Sequence, residues 1–317
     1  MSTIFREQVL SRAGRIAVLM GGTSMEREIS LQSGQAVAAG LQRLGLEVTT
    51  IDVGEDLIGQ LQAASPDLVF NLLHGTVGED GVIQGLLEIL GVPYTGSGVL
   101  ASALAMDKHK CKLLWKQVGL NTADHQILQD DSPWQHLISD YGKLVVKPVN
   151  GGSSLGIAIV DNAGALQAEY LQAKQYDQQV MAEQWLSGPE YSIGVLGDRL
   201  LPTVLLQTER EFYDYEAKYV DQTTRMICPV DLPSEQLTVL KSLARQAYDS
   251  LELSGLARVD LMQGADGEFY LLEANSIPGM TSHSIVPASA ASAGIGFDEL
   301  LLQILECEFQ NKMGHLH

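Results

Sequence analysis

Residues Ala257 to Ser284 read ARVDLMQGADGEFYLLEANSIPGMTSHS. Two apolar-rich runs flank Asp266-Gly267, a strong signal for a two-residue hairpin turn. Folding the chain there sets Gln263 opposite Tyr270, Leu261 opposite Leu272, Asp260 opposite Glu273 and, one same-face step outward, Arg258 opposite Asn275. Two carboxylates facing each other across a sheet repel unless a cation sits between them. With Asn275 they make three hard oxygen donors on one face, a set suited to Mg²⁺ whose remaining shell comes from water and phosphate. A solvated sheet face is the alternative, but Leu261, Met262, Leu271 and Leu272 around the carboxylates favour burial.

Upstream, KLVVKPVNGGSSLGIAIVD reads as strand, glycine loop, strand, and YSIGVLGDRLLPTVLL as a hairpin turning at Gly197-Asp198. The loop is not a P-loop: Lys147 precedes its glycines, and a β-type run rather than a helix N-terminus follows them. It reads as a strand-to-strand lid, with a plain hairpin tip as the alternative. By contrast, residues 15 to about 103 alternate short apolar runs (Arg15 to Met20, EVTTID, DLVFNLLHG, GVPYTG) with helical stretches such as IQGLLEIL. The fold class is therefore an α/β N-terminal lobe with a parallel sheet, followed by an α+β part of two antiparallel sheets in two lobes. GSGVLA, Gly96 to Ala101, matches a dinucleotide pattern but lacks the acidic residue about 20 positions on, so a tight strand-to-helix turn is preferred.

Composition narrows the function. The 317 residues carry 20 Lys+Arg against 39 Asp+Glu, a net charge of −19, which argues against nucleic-acid or anionic-membrane partners. With 45% hydrophobic residues the chain suffices for two or three cored lobes. Cys111, Cys228 and Cys307 have no paired or metal-type spacing, which suits a reducing compartment. There is no apolar leader and no run of about 18 apolar residues, so the expected location is the cytoplasm.

In so acidic a chain each lysine is informative. Lys108, Lys147 and Lys218 read as lying in or beside strand ends, as either ligands or snorkelling edge residues. In the first lobe, Glu26 falls in the first helical turn after Gly21-Gly22, and His74 follows the strand LVFNLL. Both stand where open α/β sheets bind ligands, although Glu26 alone would complement a helix dipole and His74 alone would be a turn residue.

GGTSMEREISL, LHGTVGEDG, PYTGSGVLASALAMDK, VVKP…GGSSLG, WLSGPE, FYDYEAKY and LLEANSIPGMTSHS, in this order, resemble the D-alanine–D-alanine ligase family of ATP-grasp enzymes from about Ile16 to the last helix. The resemblance implies lobes at 1–103, 104–188 and 189–317, with ATP held between the second and third. It gives Lys108, Lys147 and Lys218 to the ATP phosphates, Ser154 to the nucleotide, and Glu183, Trp185, Leu186 and Glu190 to adenosine. Asp260, Glu273 and Asn275 become ligands of two Mg²⁺ ions, or Mn²⁺ in their place, in agreement with the hairpin argument. Glu26 would hold the ammonium of the first D-alanine in a network with Ser153 and Tyr219, beside His74. Ser284, with Ile285 next to it, would take the carboxylate of the second. Arg258 and the Gly279 N–H would form the oxyanion site.

The implied reaction is ATP-dependent joining of two D-alanines through an acyl phosphate, for peptidoglycan precursors and hence the cell wall, by a cytoplasmic homodimer. Two features refine it. Asn150-Gly151 stands where many relatives carry an Arg-Glu pair, which predicts a less charged lid. Tyr219 agrees with dipeptide-forming members rather than those that join D-alanine to D-lactate. A sister ligase with another acceptor such as D-serine, a non-enzymatic nucleotide sensor and a dinucleotide oxidoreductase are the competing readings; the intact acid, acid, amide set favours the enzyme.

Overall fold

The computed structural model describes residues 3–152, 156–207 and 225–311. Its first part runs α1 (Thr3–Ala13), β1 (Arg15–Gly21), α2 (Arg27–Arg43), β2 (Glu47–Val53), α3 (Leu57–Ala64), β3 (Leu68–Asn71), α4 (Val82–Leu90) and α5 (Val99–Met106). The strands form a parallel sheet in the order β2-β1-β3. Ile16 to Gly21 of the central strand are all buried, as a strand covered on both faces requires. Ile16 and Val18 pack with Val37 and Leu41 of α2, while Ala17 and Leu19 pack with Ile83 and Leu87 of α4. GVPYTG, expected as a further strand, contributes only an isolated parallel bridge, Val69 to Tyr94.

The second part comprises α6 (Lys108–Gln117), β4 (His125–Ile127), α7 (Trp134–Tyr141), β5 (Leu144–Pro148), β6 (Ala158–Val160), α8 (Ala163–Ala173) and β7 (Val180–Gln184). Its sheet is antiparallel in the order β4-β7-β5-β6, and the glycine loop joins the antiparallel neighbours β5 and β6. The third part adds β8 (Glu190–Leu196), β9 (Arg199–Leu200), β10 (Val204–Gln207), β11 (Arg225–Ile227), α9 (Ser234–Ser250), β12 (Leu256–Gln263), β13 (Phe269–Asn275), α10 (Ile285–Ser292) and α11 (Phe297–Asn311). Here the order is β11-β10-β8-β12-β13, antiparallel throughout, with β9 hairpinned onto β8 about Gly197-Asp198. Helix α11 crosses back, and Leu300, Leu301, Ile304 and Leu305 share a core with Ile16, Val18 and Leu41. Among the described residues no single helix is long and apolar enough to cross a membrane.

The β12-β13 hairpin keeps the outer pairs Arg258–Asn275 and Asp260–Glu273, but the inner register shifts by one: Leu261 faces Leu271 and Gln263 faces Phe269. The turn is not the two-residue one expected. Gly264 N–H bonds Glu268 O and Gly267 has φ +85, so Ala265 to Gly267 form a three-residue loop with glycine in the left-handed position. A bulge at Leu272 absorbs the difference, and bulges next to active sites re-aim side chains.

Register then writes out one face of the third sheet, because directly opposed residues share a face. One cross-strand row is Met226, Leu206, Glu190, Met262; the next is Val204, Ser192, Asp260, Glu273; the third begins Gly194, Arg258, Asn275. Gly96 to Gly98 are a joint rather than a nucleotide loop. Ser254 bonds Gly96 O and Ser97 Oγ, Gly96 N–H donates to Glu308 of α11, and a Cβ on Gly255 (φ +67) would stand 3.0 Å from Gly96 Cα.

Candidate active site

A cleft with about 870 Å³ of open space lies between the second and third sheets, within the range of ligand pockets. Val145, Ile157, Ile159, Trp185, Leu186, Met262 and the bulged Leu272 give it apolar walls; Lys108, Lys147, Glu183, Glu190 and Glu273 supply charge. Lys108 is the first residue of α6, capped by Asp107, and not a strand-end residue as expected. Its Nζ donates to Gly151 O of the lid at 2.5 Å and stands 3.4 Å from a Glu273 oxygen. Lys147 ion-pairs with Glu183, and so does Lys112, one helical turn after Lys108 and wholly buried. Lys112 also donates to Thr122 Oγ1 at 2.7 Å and Leu271 O at 3.2 Å. Burial pushes its pKa down to about 8, against the pull of Glu183. Burial alone would raise the Glu183 carboxyl, but the two lysines hold it below its ordinary range. Lys112 was missed in the sequence; its i,i+4 spacing from Lys108 was the available signal.

A second pocket shares Gly152, Glu190 and Glu273 with the first. It gathers Glu26, His74, Arg258, Asp260, Asn275, Gly279, Ser284 and Ile285, residues from every part of the chain. Glu26 stands at the N-cap position of α2 rather than in its first turn. Ser24 ties it down, accepting from Glu26 N–H at 3.2 Å and donating to His74 O at 2.7 Å. The lid reaches it: a Cβ on Gly152 would lie 2.9 Å from either Glu26 oxygen. Burial lowers the His74 pKa, with Glu26 opposing and Arg258 reinforcing, so the imidazole is neutral at pH 7. Its Nε2 is buried with no hydrogen-bond partner among the described residues, which marks it for a ligand. Asp260 grips Arg258 with bonds of 2.8 to 3.2 Å and accepts from Ser192 Oγ at 2.5 Å, fixing the guanidinium in the wall. Ser284 Oγ receives Thr281 N–H at 3.0 Å, and a Cβ on Gly279 would collide with it at 2.8 Å; glycine there lets a backbone N–H approach the pocket.

Asp260, Glu273 and Asn275 line this pocket together. Among the described residues no group of three His, Cys, Asp or Glu is gathered for a metal; the donors are two carboxylates and an amide. Each carboxylate is balanced by its own cation, Asp260 by Arg258 and Glu273 by Lys108. Hard oxygens on one wall, beside lysines placed for phosphate, fit Mg²⁺ or Mn²⁺ completed by phosphate and water. Ser153, Ser154, Lys218 and Tyr219 lie outside the described residues.

Glu79 also went unnoticed in the sequence. It lines a gap beside Lys108, Glu273 and Asn275 and accepts Gly75 N–H at 2.6 Å. Burial, reinforced by Glu26, raises its pKa from 4.5 to about 8. Between those values the unfolded state binds fewer protons than the folded one, so Glu79 costs stability as pH rises, by at most about 1.4 kcal/mol per unit. Glu79→Gln keeps the acceptor and removes the titration. Its melting temperature relative to the parent is expected to climb between pH 5 and 8; a pH-independent difference would contradict a raised pKa.

Two antiparallel sheets closing on a lysine-lined cleft under a strand-to-strand glycine lid are the architecture of the ATP-grasp class. The D-ala D-ala ligase N-terminus description matches residues 57–97 and the D-ala D-ala ligase C-terminus description residues 114–306. The D-alanine–D-alanine ligase of Nitrosococcus oceani is 49% identical over 301 residues, covering 95% of each chain. Crystal structures of the Bacillus anthracis enzyme superpose with TM-scores of 0.86 and 0.84, the second for its complex with ATP, at 35% and 32% identity over 95% of this chain and 99% of that one. The chain belongs to the D-alanine–D-alanine ligase family and is a ligase.

Proposed function

We propose that the chain joins two D-alanines to D-alanyl-D-alanine with cleavage of ATP to ADP, supplying peptidoglycan precursors in the cytoplasm. The carrying observation is the wall that the two pockets share: Glu273, Gly152 and Glu190 bring the charged end of the cleft against the amino-acid pocket. The ATP complex of the Bacillus anthracis relative supports ATP in the cleft. Adenosine lies among Glu183, Trp185, Leu186 and Glu190, with Ser154 closing on the nucleotide and Lys108, Lys147 and Lys218 on the phosphates. Asp260, Glu273 and Asn275 would hold two Mg²⁺ or Mn²⁺ ions, which when bound neutralise phosphate oxygens and align them for in-line transfer. The three-lobe division at 103 and 188 accompanies this reading. A homodimer is supported by the exposed apolar residues Val82, Ile89, Val99 and Leu100.

Glu26, with Ser153 and Tyr219, orients the first D-alanine by its ammonium, beside neutral His74. Its carboxylate attacks the γ-phosphorus and ADP leaves, producing an acyl phosphate that water would destroy. Lys108 gripping Gly151 O closes the lid against water. The amine of the second D-alanine, held through its carboxylate by Ser284, attacks the acyl carbon. The tetrahedral oxygen falls to Arg258 and Gly279 N–H, and phosphate departs as the peptide bond forms and the amine loses its proton. The test is ADP release with ATP and Mg²⁺ while D-alanine, L-alanine, D-lactate and D-serine are varied. Release is expected with D-alanine alone; its absence overturns the reading, and faster release with D-alanine plus D-serine favours the sister ligase.

A further inference from the structure

The amino-acid pocket is polar at the end holding Glu26, His74 and Arg258, but beside Ser284 its wall is apolar: Leu206, Met226 and Ile285. These three residues come from distant parts of the sequence and form their own small cluster with Val204 and Cys228, apart from the main cores. Leu206 and Met226 are directly paired across β10 and β11, at the head of the row that continues through Glu190 to Met262. Leu206 is 5% exposed, fixed between Val204 and Ile285, whereas Met226 is half-buried at the sheet's outer strand. The row therefore carries two chemistries: Met262 lines the nucleotide cleft, Glu190 both pockets, and Leu206 and Met226 the amino-acid pocket alone.

We propose that the Leu206–Met226 pair, backed by Ile285, limits the size of the side chain on the acceptor amino acid. This rests on the reading above, in which Ser284 receives the acceptor's carboxylate. An α-carbon whose carboxylate is at Ser284 and whose amine faces the acyl carbon near Arg258 and Gly279 has two directions left for hydrogen and side chain, and the apolar wall takes the side chain. Apolar walls discriminate by volume: one methylene is worth roughly 10- to 200-fold in kcat/KM. Met226, unbranched and flexible, is the residue that yields. The donor end, bounded by Glu26, Ile29 and His74, has none of these residues in contact, so its selectivity is set independently.

The test uses the full chain with ATP, Mg²⁺, D-alanine and D-2-aminobutyrate, with each product's residue order read by fragment-ion mass spectrometry. Met226→Ala is expected to raise the ratio of kcat/KM for D-2-aminobutyrate over D-alanine as acceptor about tenfold. The larger residue should appear only in the C-terminal position, with KM for ATP unmoved. Leu206→Ala should act in the same direction and more strongly, but it opens a buried site; Met226→Ala, at a half-buried strand edge, carries the decision. An unchanged acceptor ratio, or a larger residue entering the N-terminal position, overturns the inference. Failure of the parent protein to use D-alanine at all would instead overturn the reading on which it rests.

Discussion

Glu273→Gln is expected to lower turnover by roughly 10³-fold or more while leaving the protein folded. Glu273 touches both pockets and faces Asp260 across the hairpin. A carboxylate attacking a triphosphate brings anion to polyanion, so the step depends on positive charge held at the junction, and one of the two charged donors for the metal would be gone. The fold should tolerate the change because two electrostatic effects oppose each other: Lys108 loses its carboxylate at 3.4 Å, and Asp260 loses a like-charged neighbour. With the Glu273 side chain 26% exposed, the net change in stability should stay within about 1 kcal/mol. Steady-state ADP release and thermal melting of the same sample check both parts. Near-normal turnover would refute the metal assignment, and an unfolded variant would refute the cancellation.

The hairpin that carries this prediction shows how far sequence reasoning reached. Asp260 opposite Glu273 and Arg258 opposite Asn275 were legible because strand alternation and one turn signal fix which residues share a face. The turn length was not, since Asp-Gly suits both two-residue and three-residue loops; the bulge at Leu272 compensated, so the outer pairs survived an inner register that slipped by one. The glycine lid between β5 and β6 was legible from what followed it, a strand and no helix. Lys108 and Lys147 were legible as scarce cations in an acidic chain, although Lys108 begins a helix. What stayed hidden depends on tertiary burial. Nothing local to Lys112 or Glu79 shows that one will be sealed behind Glu183 and the other beside Glu26. Met226 meets Leu206 only through the pairing of β10 with β11, across 17 masked positions of sequence that carry no period of their own.

Glu183→Gln is expected to destabilise the protein by about 3–5 kcal/mol at pH 6, the cost of breaking a buried ion pair by removing one partner. Glu183 is 2% exposed and is the shared anion of Lys112, fully buried, and Lys147, nearly so. Its loss leaves two ammonium groups facing an amide in the nucleotide cleft. The pH dependence identifies the cause. Lys112 already titrates at about 8 in the folded protein against an ordinary value of 10.5, so between those values the unfolded state binds more protons and stability rises with pH. Without Glu183 to hold the proton, the folded-state pKa falls further and that rise begins at lower pH. The deficit of Glu183→Gln relative to the parent should therefore shrink from pH 6 to pH 8. Removing the second charge as well should help: Lys112→Met combined with Glu183→Gln is expected to be more stable at pH 6 than Glu183→Gln alone, because no unpaired ammonium then remains at that position. Urea unfolding of the parent, both single variants and the double variant closes the cycle. A Glu183→Gln loss under about 1 kcal/mol, or a double variant no better than that single one, would show that Lys112 and Glu183 do not act as a pair. In catalysis the same substitution should raise KM for ATP more than it lowers kcat, since Glu183 braces Lys147 and lies along the adenosine wall rather than at the reacting phosphate.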